Sequence, residues 1–263
     1  MKMTKPQYRQ RAIVQREELS EDYFILWIWD EDMGALCKPG QFYEIRALAV
    51  FEDAPTSVSI PRLFKPISIY DNQGGRIGFM IKRVGLGTNA LSKLKAGDTL
   101  ELIGPAGNGF PLAEDRKILL ISGGAGYPPL WYLQKKLIGQ NKVYWIHGGA
   151  TGSDIFPCDE MWTEDGSIGR KGRACDDLEN TIKEREIDLI YSCGPFGMLK
   201  EATRISEMYD IEHYSSLEAY MACGIGVCHG CTVPIGTKED WDYLRVCKEG
   251  PVFSAKEIRW EIM

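Results

Sequence analysis

No stretch of this chain comes near the roughly 18 uncharged apolar residues that a membrane-crossing helix needs. Met1-Lys2-Met3-Thr4-Lys5-Pro6 lacks the apolar stretch of a secretory signal. Positive charge is short as well: 31 Lys and Arg stand against 37 Asp and Glu, a formal net charge of −6, with no basic stripe. That argues against polyanion binding through bulk charge, so neither nucleic acid nor membrane is an expected partner. Cysteine is sparse. Eight in 263 residues is far below a disulfide scaffold, and a chain of this length does not need one. Repeats and low-complexity tracts are missing too. What is there is 44% apolar and 26% charged, the composition of a globular protein of about two domains. The expected compartment is a reducing cytoplasm, where clustered cysteines read as metal ligands.

Residues 8–110 read as all-β. Short segments rich in β-branched and aromatic residues, such as Tyr23 to Trp29, Gln41 to Arg46 and Pro66 to Tyr70, are separated by turn clusters such as Asp71-Asn72-Gln73-Gly74-Gly75. Six such strands predict a sandwich or small barrel. The texture then changes. Lys117 to Ser122, Val143 to His147 and Ile187 to Ser192 are continuous apolar runs, each ending at glycine, and helix-like stretches follow at 129–137 and 198–208. Strand, glycine turn, helix, repeated, predicts a parallel βαβ sheet. From Ser215 the chain turns to cysteine and glycine. About 50 residues cannot bury much core alone. The expected organisation is an antiparallel barrel over 1–111, a parallel α/β unit over 112–212 and a small cluster segment over 213–263.

Four of the eight cysteines fall in that last segment: Cys223, Cys228, Cys231 and, after fifteen residues, Cys247. The spacing C-x4-C-x2-C…C is that of plant-type [2Fe–2S] clusters. Four thiolates complete two tetrahedral irons bridged by two sulfides. The glycines between them let backbone amides turn toward the sulfurs. A structural zinc site is the alternative, but zinc favours two C-x2-C pairs and only Cys228 and Cys231 form one.

Two glycine turns suggest phosphate sites. Gly85-Leu86-Gly87-Thr88 precedes a short helical run, a place where free N–H groups suit a diphosphate. Gly123-Gly124-Ala125-Gly126 follows a buried strand and opens a helix, as at a dinucleotide site, although it is not G-x-G-x-x-G. An ordinary hairpin turn and an ordinary βα turn remain the competing readings.

Pro39-Gly40-Gln41-Phe42, Lys65-Pro66-Ile67-Ser68, the turn at 85–88, Gly104 to Phe110, Gly123 to Leu130, Cys193-Gly194-Pro195, Glu218 to Cys231 and Val246 to Phe253 together carry a family likeness. The first 210 residues resemble the ferredoxin reductase superfamily. With the cysteine segment, the whole chain resembles the electron-transfer subunits of type B dihydroorotate dehydrogenases. The resemblance implies FAD held by Lys65, Pro66, Ile67 and Ser68, with Met80, Ile81 and Lys82 along the ring and Gly87 and Thr88 at the diphosphate. It implies NAD(H) across Gly123, Gly124, Ala125, Gly126, Cys193, Gly194 and Pro195, and a [2Fe–2S] cluster on the four cysteines. Ser68 is the catalytic candidate, as a hydrogen-bond partner of flavin N5. Hydride would pass between NAD(H) and flavin, and single electrons through the cluster to or from an FMN-containing dihydroorotate dehydrogenase subunit in a heterotetramer. Relatives of the closing Cys-Lys-x-Gly-Pro-Val-Phe also serve hydrogenases, sulfite or sulfide reductases and transhydrogenases. A diaphorase-type subunit of such a complex is the alternative, and a zinc-stapled binding module a more distant one.

The chain departs from the superfamily pattern at Lys65, normally arginine, at Ser122, normally glycine, and at Tyr127-Pro128. Residues 148–154 contain no Arg or Lys, while Asp154 would repel a 2′-phosphate, so NADH is expected over NADPH unless Arg170, Lys171 or Arg173 folds in. Arg62 is a second candidate cation for the flavin phosphates.

Overall fold

The computed structural model describes residues 5–48 and 63–263, and Arg62 lies outside them. Seven antiparallel strands form a curled first sheet: β1 (Gln7–Glu18), β2 (Tyr23–Trp29), β3 (Phe42–Ala47), β4 (Lys65–Ser68), β5 (Asp71–Gln73), β6 (Arg76–Lys82) and β7 (Thr99–Ala106). Their spatial order is β4-β3-β7-β1-β2-β6-β5. The two-residue alternation of strands decides which side chains fill the interior. In β6, Ile77, Phe79 and Ile81 enter the barrel core with Phe24, Leu26, Ile45 and Leu100. Short helices α1 (Glu31–Gly34) and α2 (Leu86–Leu91) sit in the connections.

The second sheet is parallel at its centre. It runs through β8 (Lys117–Gly123), β9 (Lys142–Gly149), β10 (Glu160–Thr163), β11 (Arg170–Lys171), β12 (Leu189–Cys193) and β13 (Glu212–Ser216). Helices α3 (Tyr127–Leu137), α4 (Leu178–Arg185) and α5 (Phe196–Met208) make the crossovers. The three apolar runs expected as buried strands are β8, β9 and β12. Short β10, β11 and β13 carry too little apolar pattern to stand out in the sequence.

Beyond β13, residues 232–236 and 241–245 form the hairpin β14 (Thr232–Gly236) and β15 (Trp241–Arg245). The chain then returns as β16 (Val252–Ser254), which pairs antiparallel with β13 at the edge of the parallel sheet. The C-terminal segment therefore shares the core of its neighbours. Phe42 and Ala106 of the barrel and Leu199 of α5 are buried in one cluster with Cys231, Val246, Cys247 and Phe253. Asn108 Nδ2 donates to the carbonyl of Glu249 at 2.7 Å, and the Asn108 amide donates to that of Gly250 at 2.6 Å, so the barrel grips the closing strap directly.

Candidate functional site

The parallel strands are added outward from β8 in one direction as β9, β10 and β11 and then in the other as β12 and β13, so the strand order reverses between β8 and β12. A crevice opens at the carboxyl ends of strands at such a switch point, and dinucleotides bind there. Gly123, Gly124, Ala125 and Gly126 end β8, and Cys193, Gly194 and Pro195 end β12, so the two expected nucleotide segments meet in this crevice. They touch backbone to backbone: a Cβ at Gly126 would stand 2.1 Å from the carbonyl oxygen of Cys193. Cys193 is buried, and burial raises its thiol well above the usual range.

The departures at Ser122 and Tyr127 build inward, away from this crevice. Ser122 Oγ accepts from Trp145 Nε1 at 2.8 Å and lies 2.7 Å from His147 Nδ1, while His147 Nε2 lies 2.8 Å from the carbonyl of Asp154. These partners fix one tautomer, with the serine hydroxyl donating to Nδ1 and Nε2–H donating to the carbonyl. Burial brings His147 down to about 4, against weaker pulls from Asp154 and Ser122. Tyr127 stacks on Trp145 at 4.5 Å and donates its hydroxyl to the carbonyl of Pro157.

Asp154 also differs from expectation. Its carboxylate is buried and accepts from Tyr23 at 2.8 Å and from Lys82, so it joins the parallel unit to β2 and β6 and does not confront a ligand phosphate as a free charge. Burial pushes this carboxyl up, but Lys82 and Tyr23 outweigh it and hold it below the usual range. Arg170 is tied to Glu160 and Asp177 and does not fold in.

On the barrel, Lys65-Pro66-Ile67-Ser68 is β4, paired with β3 so that Ser68 faces Phe42 and Pro66 faces Glu44. Lys65 lies across Gly87, where a Cβ would approach its Cε to 2.4 Å, and both line a cleft with Ile45, Arg46 and Ala90. Thr88 Oγ1 accepts from the amides of Val84 and Gly85. Its hydroxyl therefore caps α2. Ile81 turns its side chain into the barrel core and half-buried Ile67 packs against that core, because strand alternation puts Ser68, Met80 and Lys82 on the opposite face. Met80 is buried in the core shared with the parallel unit, and Lys82 is engaged by Asp154.

The four cysteines are brought together in two pairs. Cys223 and Cys228 adjoin, as do Cys231 and Cys247, and among the described residues no three His, Cys, Asp or Glu converge on a single ion position. Two pairs of thiols are what two bridged irons require. The backbone fits as well: the amides of Cys228, Gly230 and Cys247 donate to the sulfurs of Cys223, Cys228 and Cys231 at 3.4–3.5 Å. Burial raises the Cys223 thiol, but the N–H groups of Cys228, Ile225 and Val227 prevail and bring it down to about 6. His229 is exposed, with Nε2 3.3 Å from Arg245 Nη1.

Two residues of this region carried no signal in the spacing of motifs. Arg245 donates from Nη1 to the carbonyl of Gly226 at 2.8 Å and pairs with Glu249, bracing the loop. Glu44 is buried at 1% exposure, and among the described residues neither carboxylate oxygen has a hydrogen-bond partner. Burial and the charge of Cys223 push it up to about 7, against the pull of Lys65. A glutamate between apolar Tyr43 and Ile45 in a strand was the only sequence hint.

Residues 218–259 match the family model of the iron–sulfur cluster binding domain of dihydroorotate dehydrogenase B. The electron-transfer subunit of NAD(+)-dependent dihydroorotate dehydrogenase B from Caldanaerobacter subterraneus subsp. tengcongensis is 36% identical, over 94% of this chain and 96% of that one. The chain belongs to this electron-transfer subunit family. Its Clostridium acetobutylicum member is 38% identical over 84% of this chain and 86% of its own. Among solved structures, an NADH-dependent reduced ferredoxin–NADP oxidoreductase studied for flavin-based electron bifurcation superposes with TM-score 0.79 at 26% identity, over 96% of this chain and 90% of that one. The flavohaem-like FAD/NAD-binding domain of a Vibrio cholerae nitric oxide dioxygenase, at 20% identity, covers 77% of this chain and 94% of that one with TM-score 0.61 and shares the fold. The family membership removes the zinc-stapled module from consideration.

Proposed function

We propose that this chain passes electrons between NAD(H) and an FMN-containing dihydroorotate dehydrogenase subunit, in a cytoplasmic heterotetramer serving pyrimidine synthesis. The observation that carries the reading is the paired thiol set packed against the same barrel face as Ser68, beside the crevice of the parallel sheet. FAD held at Lys65 and Ser68 would supply hydride exchange with the nicotinamide, and a [2Fe–2S] cluster on Cys223, Cys228, Cys231 and Cys247 would supply single-electron transfer. The rest is positioning, because such chemistry belongs to the cofactors. The units proposed for it are 1–111, 112–212 and 213–263.

In this reading Lys65 meets the flavin phosphates as a point charge and Ser68 offers its hydroxyl at the reacting edge of the ring. Gly123 to Gly126 and Cys193 to Pro195 leave a shallow crevice for the nicotinamide half. Thr151 and Ser153, both exposed, suit a ribose hydroxyl, and residues 148–154 bring no cation for a 2′-phosphate, so NADH is the preferred nucleotide. Around the cysteine loop, Tyr220, Ile225, Val227 and Tyr243 are exposed apolar side chains that a partner subunit would cover. No helix among the described residues is long and apolar enough to cross a membrane.

The test is to co-express the chain with an FMN-containing dihydroorotate dehydrogenase subunit and purify through a tag on this chain. A brown complex that reduces NAD⁺ with dihydroorotate is expected. A diaphorase that oxidises NADH but retains no such partner would favour another redox complex, and higher kcat/KM with NADPH would overturn the nucleotide assignment.

A further inference from the structure

Glu44 has no role in the scheme above, yet it occupies the junction of the two cofactor regions. It sits in β3, paired with Pro66 of the flavin motif on one side and with Ile103 of β7 on the other. Alternation puts Tyr43 and Ile45 in the barrel core and turns Glu44 outward, to the face that carries Ser68. The cysteine loop closes over that face. Gly224, with φ of +62°, rests on the carboxyl so tightly that a Cβ there would lie 2.2 Å from Glu44 Cγ and 2.6 Å from its Oε1. The loop residue directly after Cys223 therefore lies on the carboxyl group itself.

A carboxyl at this depth, with neither oxygen hydrogen-bonded among the described residues, makes a poor structural element. An apolar side chain would fill the same space without the desolvation cost. When ionised, it supplies a negative charge in a medium that screens weakly. Lys65 is the cation that offsets it from the flavin side, and Cys223 the sulfur that feels it from the loop side.

We propose that Glu44 is a potential-setting residue, whose buried carboxylate beneath Gly224 holds down the reduction potential of the [2Fe–2S] cluster. The proposal rests on the reading of Cys223, Cys228, Cys231 and Cys247 as cluster ligands. Reduction adds one electron to the cluster and none to the carboxyl. A negative charge beside the loop opposes that electron by Coulomb repulsion, and nearby charge is one of the levers by which a protein sets such potentials. A lower potential makes the reduced centre a better donor to the next carrier. No bond forms or breaks at Glu44, and it touches no reacting atom.

The experiment is an EPR-monitored redox titration of the holoprotein at pH 8.5, for wild type, Glu44→Gln and Glu44→Leu, with iron content measured in each. Glutamine keeps the shape and removes the charge. Leucine removes the charge without leaving a polar group to bury. Both variants should bind iron as wild type does and should reduce more easily, on the order of tenfold in the equilibrium constant, or about 59 mV for one electron. Unchanged or lower potentials in iron-loaded variants would overturn the proposal. So would a shift in only one of the two, which would point to packing, or loss of iron from both, which would make Glu44 a support of the loop. Absence of iron from the wild type would instead sink the cluster assignment, so the two failures are distinct.

Discussion

The cysteine loop and the nucleotide turn are both rich in glycine, and glycine serves them differently. In the loop, Gly224 and Gly226 have φ of +62° and +80°, so handedness, which turns amides toward sulfur, is needed there in addition to the close approach of Gly224 to Glu44. In the turn, Gly124 also has a positive φ, but Gly126 has an ordinary backbone and is needed only for closeness to the carbonyl of Cys193. The loop is built around what it binds, with its donor set and spacing imposed by iron. The turn is built around its neighbour strand. The turn accordingly has room for Ser122 and Tyr127, whose side chains find partners in the core.

The largest effect expected breaks the loop. Cys228 is exposed, so its side chain contributes little packing. Cys228→Ala should nonetheless abolish iron binding and loosen residues 215–263, because ligation supplies folding free energy to the segment that holds it. Iron content and limited proteolysis measure both. Zinc replacing iron in anaerobically purified wild type would defeat the premise.

The same contrast governs what was legible from the sequence. Cys223 to Cys247 suggested a cluster because metal chemistry fixes spacing along the chain. The runs at β8, β9 and β12 announced the parallel sheet because strands buried on both faces are apolar throughout. Tyr23, Lys82 and Asp154 could not be foreseen as a group: they lie in three separate segments and meet only when the two sheets dock. Glu44 is the same case, since its meaning depends on Gly224, 180 positions away. Which way Ile67 and Ile81 face was not legible in the motif, because it marks a stretch of backbone, whereas alternate side chains in a strand face opposite ways.

The core beneath the turn is sharpened by acid. His147 is held at about 4 and His213 at about 3, both because burial disfavours the charged ring. An unfolded histidine titrates near 6.5. Below that pH the unfolded chain takes up protons that the folded chain refuses, so stability is complete above about 6.5 and declines as pH falls toward 4. For His147 alone the loss by pH 4 is about 3 kcal/mol. Asp154 adds to the decline only below the usual carboxylate range. Glu44, pushed up to about 7, works the other way, because the folded chain takes up its proton before the unfolded chain does, so the histidine effect is read as a difference between proteins. Between pH 7.5 and 5 the urea midpoint of His213→Gln should gain on that of wild type, and parallel profiles would show that the His213 ring is hydrated.

Gly126→Ala tests whether the turn lives by close approach. Its new methyl meets backbone, which cannot yield as a flexible side chain would, and overpacking of this kind costs about 1–3 kcal/mol. Gly230→Ala in the loop meets only the sulfur of Cys228, at 3.5 Å, and should be close to neutral. Thermal midpoints of the two variants, compared at equal cofactor loading, give the answer. Equal destabilisation would erase the distinction drawn between the two segments.

The smallest effect concerns Lys65, which lies across Gly87. A lysine meets a phosphate as a point charge and lacks the two-pronged fork of a guanidinium. Lys65→Ala should weaken FAD retention by about 1–2 kcal/mol, the worth of one charge-assisted hydrogen bond, and Lys65→Arg should hold FAD at least as well as wild type. Flavin release during dilution, followed by fluorescence, orders the three proteins. The cysteine loop supplies an internal control, since iron content should be the same in all three. Iron lost together with flavin would mean that Lys65 acts through Glu44 on the loop, and wild-type retention in Lys65→Ala would mean that another cation holds the phosphates.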